Sequence, residues 1–176
     1  MPRQTRGLTI VHTGNGKGKT TAALGMLFRA WGHDQRLCVI QFIKSEKGRW
    51  GETIAAERLG IEWHTLGEGF VWNPDDMGPA ILKAREGWAL AQERIASGAY
   101  DLILLDEFTY LLKFGWLDTK AVLDWLRAHK PAALHLIITG RDAPPALIEY
   151  ADLVTVMENV KHPYEQGVRA QPGIEF

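Results

Sequence analysis

Cysteine is almost missing from this chain. Cys38 is the only one, so no internal disulfide framework and no thiolate metal cluster can form. A reducing cytoplasm is the natural setting. Long apolar runs are also missing. None approaches the roughly 18 residues that a membrane helix needs. Met1 to Arg6 is short, polar and basic, with no apolar stretch after it, and is expected to be flexible. A charge excess is absent too. The net charge of −1 gives no general reason to bind nucleic acid or an anionic membrane. No internal repeat, low-complexity tract or long linker breaks the chain. At 176 residues it fits one domain with a real core. No convincing nucleophile triad can be assembled.

Tryptophan is abundant instead, with seven residues. Most are expected in the core, and some against a flat, apolar ligand.

The most informative stretch is Thr13-Gly14-Asn15-Gly16-Lys17-Gly18-Lys19-Thr20-Thr21. It follows the apolar run Leu8–Val11 and opens a helical pattern, the context of a phosphate-binding loop. Glycines let such a turn point its N–H groups inward. The helix start adds free N–H groups and a positive dipole end. Lys19 is placed to reach phosphate oxygens, and the Thr20 hydroxyl to ligate magnesium or manganese. Three residues separate Gly14 from Gly18, one fewer than usual. A dinucleotide fingerprint fits worse, because it needs glycine where Lys19 stands. The bland alternative is a glycine turn with solvated lysines. The short loop weakens any assumption that the terminal phosphate is the group transferred.

Strand and helix patterns alternate through the rest. Strands are expected at 7–13, 36–44, 61–66, 100–106, 133–139 and 152–157. Helices are expected at 19–31, 52–59, 76–97, 108–114, 119–129 and from Pro144 or Pro145 to Tyr150. Ala23, Met26, Leu27, Ala30 and Trp31 form the packed stripe of the first helix, with Arg29 on another face. Asp118 is a good N-cap. Near-continuous apolar strands such as Leu37–Ile40 suggest a parallel sheet covered on both faces. The expected fold is a P-loop, RecA-like α/β domain spanning 1–176, with the tail 159–176 as a flap over the site or a docking arm.

Two further strand ends reach the ligand edge of such a sheet. Asp106-Glu107 ends an apolar strand and would hold magnesium directly or through water, or position a water. Gly140-Arg141-Asp142 ends another, and Arg141 is a phosphate candidate with Arg29 in second line. Lys44–Gly51 reads as a solvated loop or a mobile lid. Phe70 and Trp72 fall on one side of an extended loop, suited either to the core or to a planar ligand.

The loop Thr13–Thr21, then Gly69-Phe70-Val71-Trp72, Leu105–Tyr110, Ile138–Arg141, Val160-Lys161-His162 and Gly167–Ile174 occur in an order that resembles the ATP:corrinoid adenosyltransferases of bacterial cobalamin metabolism. The resemblance covers nearly the whole chain, and the short loop is part of it. The N-terminus departs from it, since family members often carry an additional charged arm. The resemblance implies transfer of the 5′-deoxyadenosyl group from ATP to the Co(I) of a corrinoid, with release of triphosphate. Gly14, Asn15, Gly16, Lys17, Gly18, Lys19, Thr20 and Thr21 would bind nucleotide. Thr20 and Glu107, with Asp106 nearby, would hold the metal. Phe70 and Trp72 would pack under the corrin ring and displace its lower axial ligand, easing reduction of Co(II). The resemblance also implies a homodimer and an electron donor such as a reduced flavoprotein. A kinase or ATPase acting at the γ-phosphate, and a non-catalytic corrinoid carrier, are the rival readings.

Overall fold

The structure, a computed structural model, describes residues 6–44, 50–67 and 77–175. Among the described residues six strands form one sheet: β1 (Thr9–Thr13), β2 (Leu37–Phe42), β3 (Glu62–Leu66), β4 (Leu102–Asp106), β5 (His135–Thr139) and β6 (Leu153–Val156). Their order is β3-β2-β4-β5-β1-β6, and every pair is parallel. Parallel neighbours need crossovers, and helices supply them. These are α1 (Lys19–Trp31), α2 (Gly51–Leu59), α3 (Gly78–Ala96), α4 (Thr109–Lys113), α5 (Thr119–His129) and α6 (Pro145–Tyr150).

Helices on both faces explain the apolar strands. β1, β2 and β4 are buried along their whole lengths, as a sheet covered on two sides requires. One core lies under α1, where Ala23, Leu27 and Ala30 meet Ile10, Val39 and Leu104. The other joins Ala84, Trp88, Ala91 and Ile95 of α3 to Cys38, Ile40 and Phe42, and extends to Val122, Leu123 and Leu126 of α5. Asp118 caps α5 as expected, accepting from the Ala121 amide at 2.7 Å.

Trp88 lies in the core and Trp63, Trp116 and Trp125 pack against it, as expected; the placement of Trp31 needs correction. Trp88 is buried, but Trp31 is 40% exposed and stacks on exposed Phe28 rather than closing the α1 stripe. Trp31 is the last residue of α1, and its indole N–H donates to the Leu59 carbonyl at 3.1 Å. Trp50, Trp63, Trp116 and Trp125 are half-buried, and Trp72 lies outside the described residues.

The parallel order sets the geometry of the ligand edge. β5 stands between β1 and β4. The glycine loop after β1 and the acidic pair after β4 therefore flank the end of β5.

Phe108 anchors this region from below. It is fully buried, with ring centroids 5.3 Å from Phe42 and 5.4 Å from Trp88. Phe108→Ala should cost about 3–5 kcal/mol of unfolding free energy, read from the urea midpoint.

Candidate active site

The Thr13–Thr20 segment forms a braced loop. Gly14 and Gly18 have φ of 97° and 114°, open to glycine and strained for other residues. Close approach adds a second demand. A Cβ on Gly14 would lie 2.4 Å from the Met157 carbonyl oxygen, and one on Gly16 2.4 Å from that of Glu158. The Gly16 amide donates to the Met157 oxygen at 2.7 Å. The loop is thus docked on the chain that leaves β6.

Lys19 opens α1 and is 8% exposed. Its Nζ donates to the carbonyls of Gly14, at 2.8 Å, and Gly16, at 2.7 Å. Burial lowers its pKa, while Glu107 and Asp106 oppose that shift. A cation is therefore stored beneath the loop, held by carbonyls that an incoming phosphate can replace.

Asp106 ends β4 fully buried. Its Oδ1 accepts from Thr20 Oγ1 at 2.8 Å and Thr139 Oγ1 at 2.7 Å. Its Oδ2 accepts from Gln41 Nε2 at 2.9 Å. Glu107 differs. Its backbone turns to φ 60°, and its Oε2 is buried with no hydrogen-bond partner among the described residues. Burial first, and the Asp106 charge second, push its pKa up to about 7, against the pull of Lys19, Lys44 and Arg141.

Glu107, Arg141, Tyr110, Lys44 and the loop from Asn15 to Thr21 line one cleft of about 970 Å³. The tail reaches it through His162 and Gly173–Glu175, and Lys17 pairs with Glu175 at 3.6 Å. Arg29 does not join them. It sits exposed in the last turn of α1, ten residues past Lys19, or about 15 Å along the helix. Phe70 and Trp72 lie outside the described residues.

Gln41, Thr109, Tyr110 and Thr139 were not singled out by sequence reasoning. Gln41 carried one signal, as the polar residue inside the apolar run of β2. Thr139 carried another, as a hydroxyl at the ligand end of β5.

A metal fits this donor set. A buried carboxylate oxygen without a partner among the described residues, in a cleft that a threonine also lines, is the oxygen chemistry that magnesium takes. Thr20 and Glu107 would hold it. Asp106, with both oxygens already accepting, would act through Thr20.

Comparison with known proteins agrees with the geometry. The sequence profile of the family described as ATP:corrinoid adenosyltransferase BtuR/CobO/CobP matches residues 5–176. The chain belongs to this family. It is 42% identical over 176 residues to the corrinoid adenosyltransferase of Pseudomonas aeruginosa, covering 99% of this chain and 86% of that protein. It is 40% identical over 173 residues to those of a Sinorhizobium species and Escherichia coli K12, covering 97% of this chain and 81% and 86% of theirs. The parallel sheet with its glycine loop is the P-loop NTPase-like fold of this family. As an adenosyltransferase the protein uses ATP and a corrinoid as substrates. Among the described residues no helix is long and apolar enough to cross a membrane.

The raised Glu107 pKa has a measurable sign. A carboxyl that binds its proton more tightly when folded stabilises the fold fully below its ordinary value of 4.5. That contribution is lost as pH rises towards about 7. Ligand-free Glu107→Gln should lack this loss. The difference between the two proteins should widen by about 2–3 kcal/mol from pH 4 to pH 8 in denaturant titrations.

Proposed function

We propose that the cleft grips ATP by its triphosphate so that the ribose 5′-carbon, and not the γ-phosphorus, is presented to the nucleophile. The observation that carries this reading is the short, braced loop with a buried lysine, sharing a cleft with a carboxylate that has an oxygen without a partner among the described residues. The nucleophile is the substrate's own metal, as Co(I). Its electron pair forms the cobalt–carbon bond while the bond from C5′ to oxygen breaks. Triphosphate leaves with that second electron pair.

No protein nucleophile or general base is needed for such a step. The chain's task is placement and charge stabilisation. Loop amides between Gly14 and Thr20, apart from that of Gly16, which donates to Met157, would face the anion that develops, together with the Lys19 ammonium. Asn15, Lys17 and Thr21 line the same wall, and Arg141 approaches from the β5 end. Thr20 and Glu107 would hold a magnesium or manganese ion, with Asp106 orienting Thr20. Bound there, the ion would neutralise phosphate charge. Arg29, exposed in the last turn of α1 and not among the residues lining the cleft, has no phosphate role in this reading within one subunit.

Phe70 and Trp72 would pack under the corrin ring in place of the lower axial ligand. A Co(II) that has lost this σ-donor is easier to reduce. The tail from 159 would close over the bound substrates within one domain. A homodimer in the cytoplasm, served by an electron donor such as a reduced flavoprotein, completes the reading.

Product analysis tests it. With ATP, magnesium and chemically reduced cobalamin, the protein should yield triphosphate and a light-sensitive cobalt–carbon bond. ADP with phosphate as the stoichiometric products would overturn the reading. Lys19→Ala should lower kcat/KM by about 100-fold or more, since a removed transition-state donor costs that much. Trp72→Ala should lose far more activity with Co(II) plus a reductase than with chemically generated Co(I). Equal losses would remove the ligand-displacement role.

A further inference from the structure

Two buried threonine hydroxyls stitch the turn after β4 to the turn after β5. Thr139, the last residue of β5, is fully buried. Its Oγ1 donates to Asp106 Oδ1 at 2.7 Å and accepts from the Glu107 amide at 2.9 Å. A hydroxyl has one proton to give. With that proton on Asp106, its lone pairs face Glu107, so both bonds are made in one orientation. Thr109, also fully buried, donates to the Arg141 carbonyl at 2.7 Å. Gly140 lies between, with φ 136°, where a Cβ would stand 2.1 Å from Thr109 Oγ1.

Glu107 needs such a restraint. Its φ of 60° takes the chain out of the strand into a region that side chains other than glycine rarely occupy. The turn also removes its amide from the β4–β5 ladder, whose last register pair is Leu105 with Ile138. Thr139 supplies the acceptor that the ladder no longer offers. It does so from the strand between the phosphate loop and the acidic pair.

We propose that the Thr139 hydroxyl is a positioning group of the reaction: by bridging the Asp106 carboxylate and the Glu107 amide, it aims the Glu107 side chain into the cleft. Thr139 is fully buried and is not among the residues lining the cleft. It acts through the two residues that it joins, and Thr109 sets Arg141 in the same way. This inference rests on Thr20 and Glu107 being the metal-holding pair.

Thr139→Val keeps the shape and deletes the hydroxyl, Thr139→Ser keeps the hydroxyl, and Thr139→Ala serves if Val does not fold. ATP binding is measured by calorimetry across a magnesium titration and again in EDTA. In Thr139→Val the magnesium concentration for half-maximal binding should rise at least tenfold. Affinity in EDTA should stay within about threefold of the parent, and Ser should restore the magnesium dependence to within about twofold. kcat should fall in parallel, with KM for ATP at saturating magnesium nearly unchanged. An unchanged magnesium requirement in a folded Val or Ala variant, or equal losses with and without magnesium, overturns the proposal. The identity of the wild-type products is a separate outcome. Triphosphate with a normal magnesium response in Thr139→Val would sink the role of Thr139 and leave the reaction standing.

Discussion

The buried carboxylate of Asp106 ties the catalytic edge together. It receives Thr20 from the start of α1, Thr139 from the end of β5 and Gln41 from β2. These partners are 86, 33 and 65 residues away in sequence. A carboxylate removed from water is costly unless its oxygens are hydrogen-bonded. Here that requirement fixes where the phosphate loop, the acidic turn and two neighbouring strands stand relative to one another. Sheet order makes the convergence possible, because β5 separates β1 from β4 and β2 lies on the other side of β4.

The two acidic neighbours divide their tasks through this arrangement. Asp106 spends its acceptors on protein donors. Glu107 turns away from the strand and keeps Oε2 buried without a partner among the described residues. Adjacent residues of like charge thereby occupy different environments, one saturated and one in want of a donor or cation. Lys19 mirrors this from the opposite wall, a buried ammonium satisfied by two loop carbonyls. Positive and negative groups are in place before substrate arrives, which suits a reaction whose nucleophile comes with the substrate.

Much of this was readable from local patterns. Apolar runs located the strands, helical stripes located the helices, and the glycine spacing located the loop. The acidic pair followed from its place at the end of an apolar strand. What could not be read was contact across the sheet. Gln41 reaches Asp106 because β2 lies beside β4, and no feature near residue 41 says so. Thr139 matters because β5 lies between the two sites, which is a property of strand order. Trp31 has the right helical phase for packing, yet it stays 40% exposed and stacks on Phe28. Arg29 suffered from distance along the helix, which its charge does not reveal. The aromatic pair Phe70 and Trp72 acquired its role from family resemblance and lies outside the described residues.

The docking of the phosphate loop on Met157 and Glu158 joins the beginning of the chain to a late part of it. Gly16 finds its acceptor just past β6, the last strand to leave the ribosome. A nascent chain that has made β1 to β5 has the glycine sequence but lacks the backbone it leans on. The loop is therefore fully braced only once the residues just after β6 have been made.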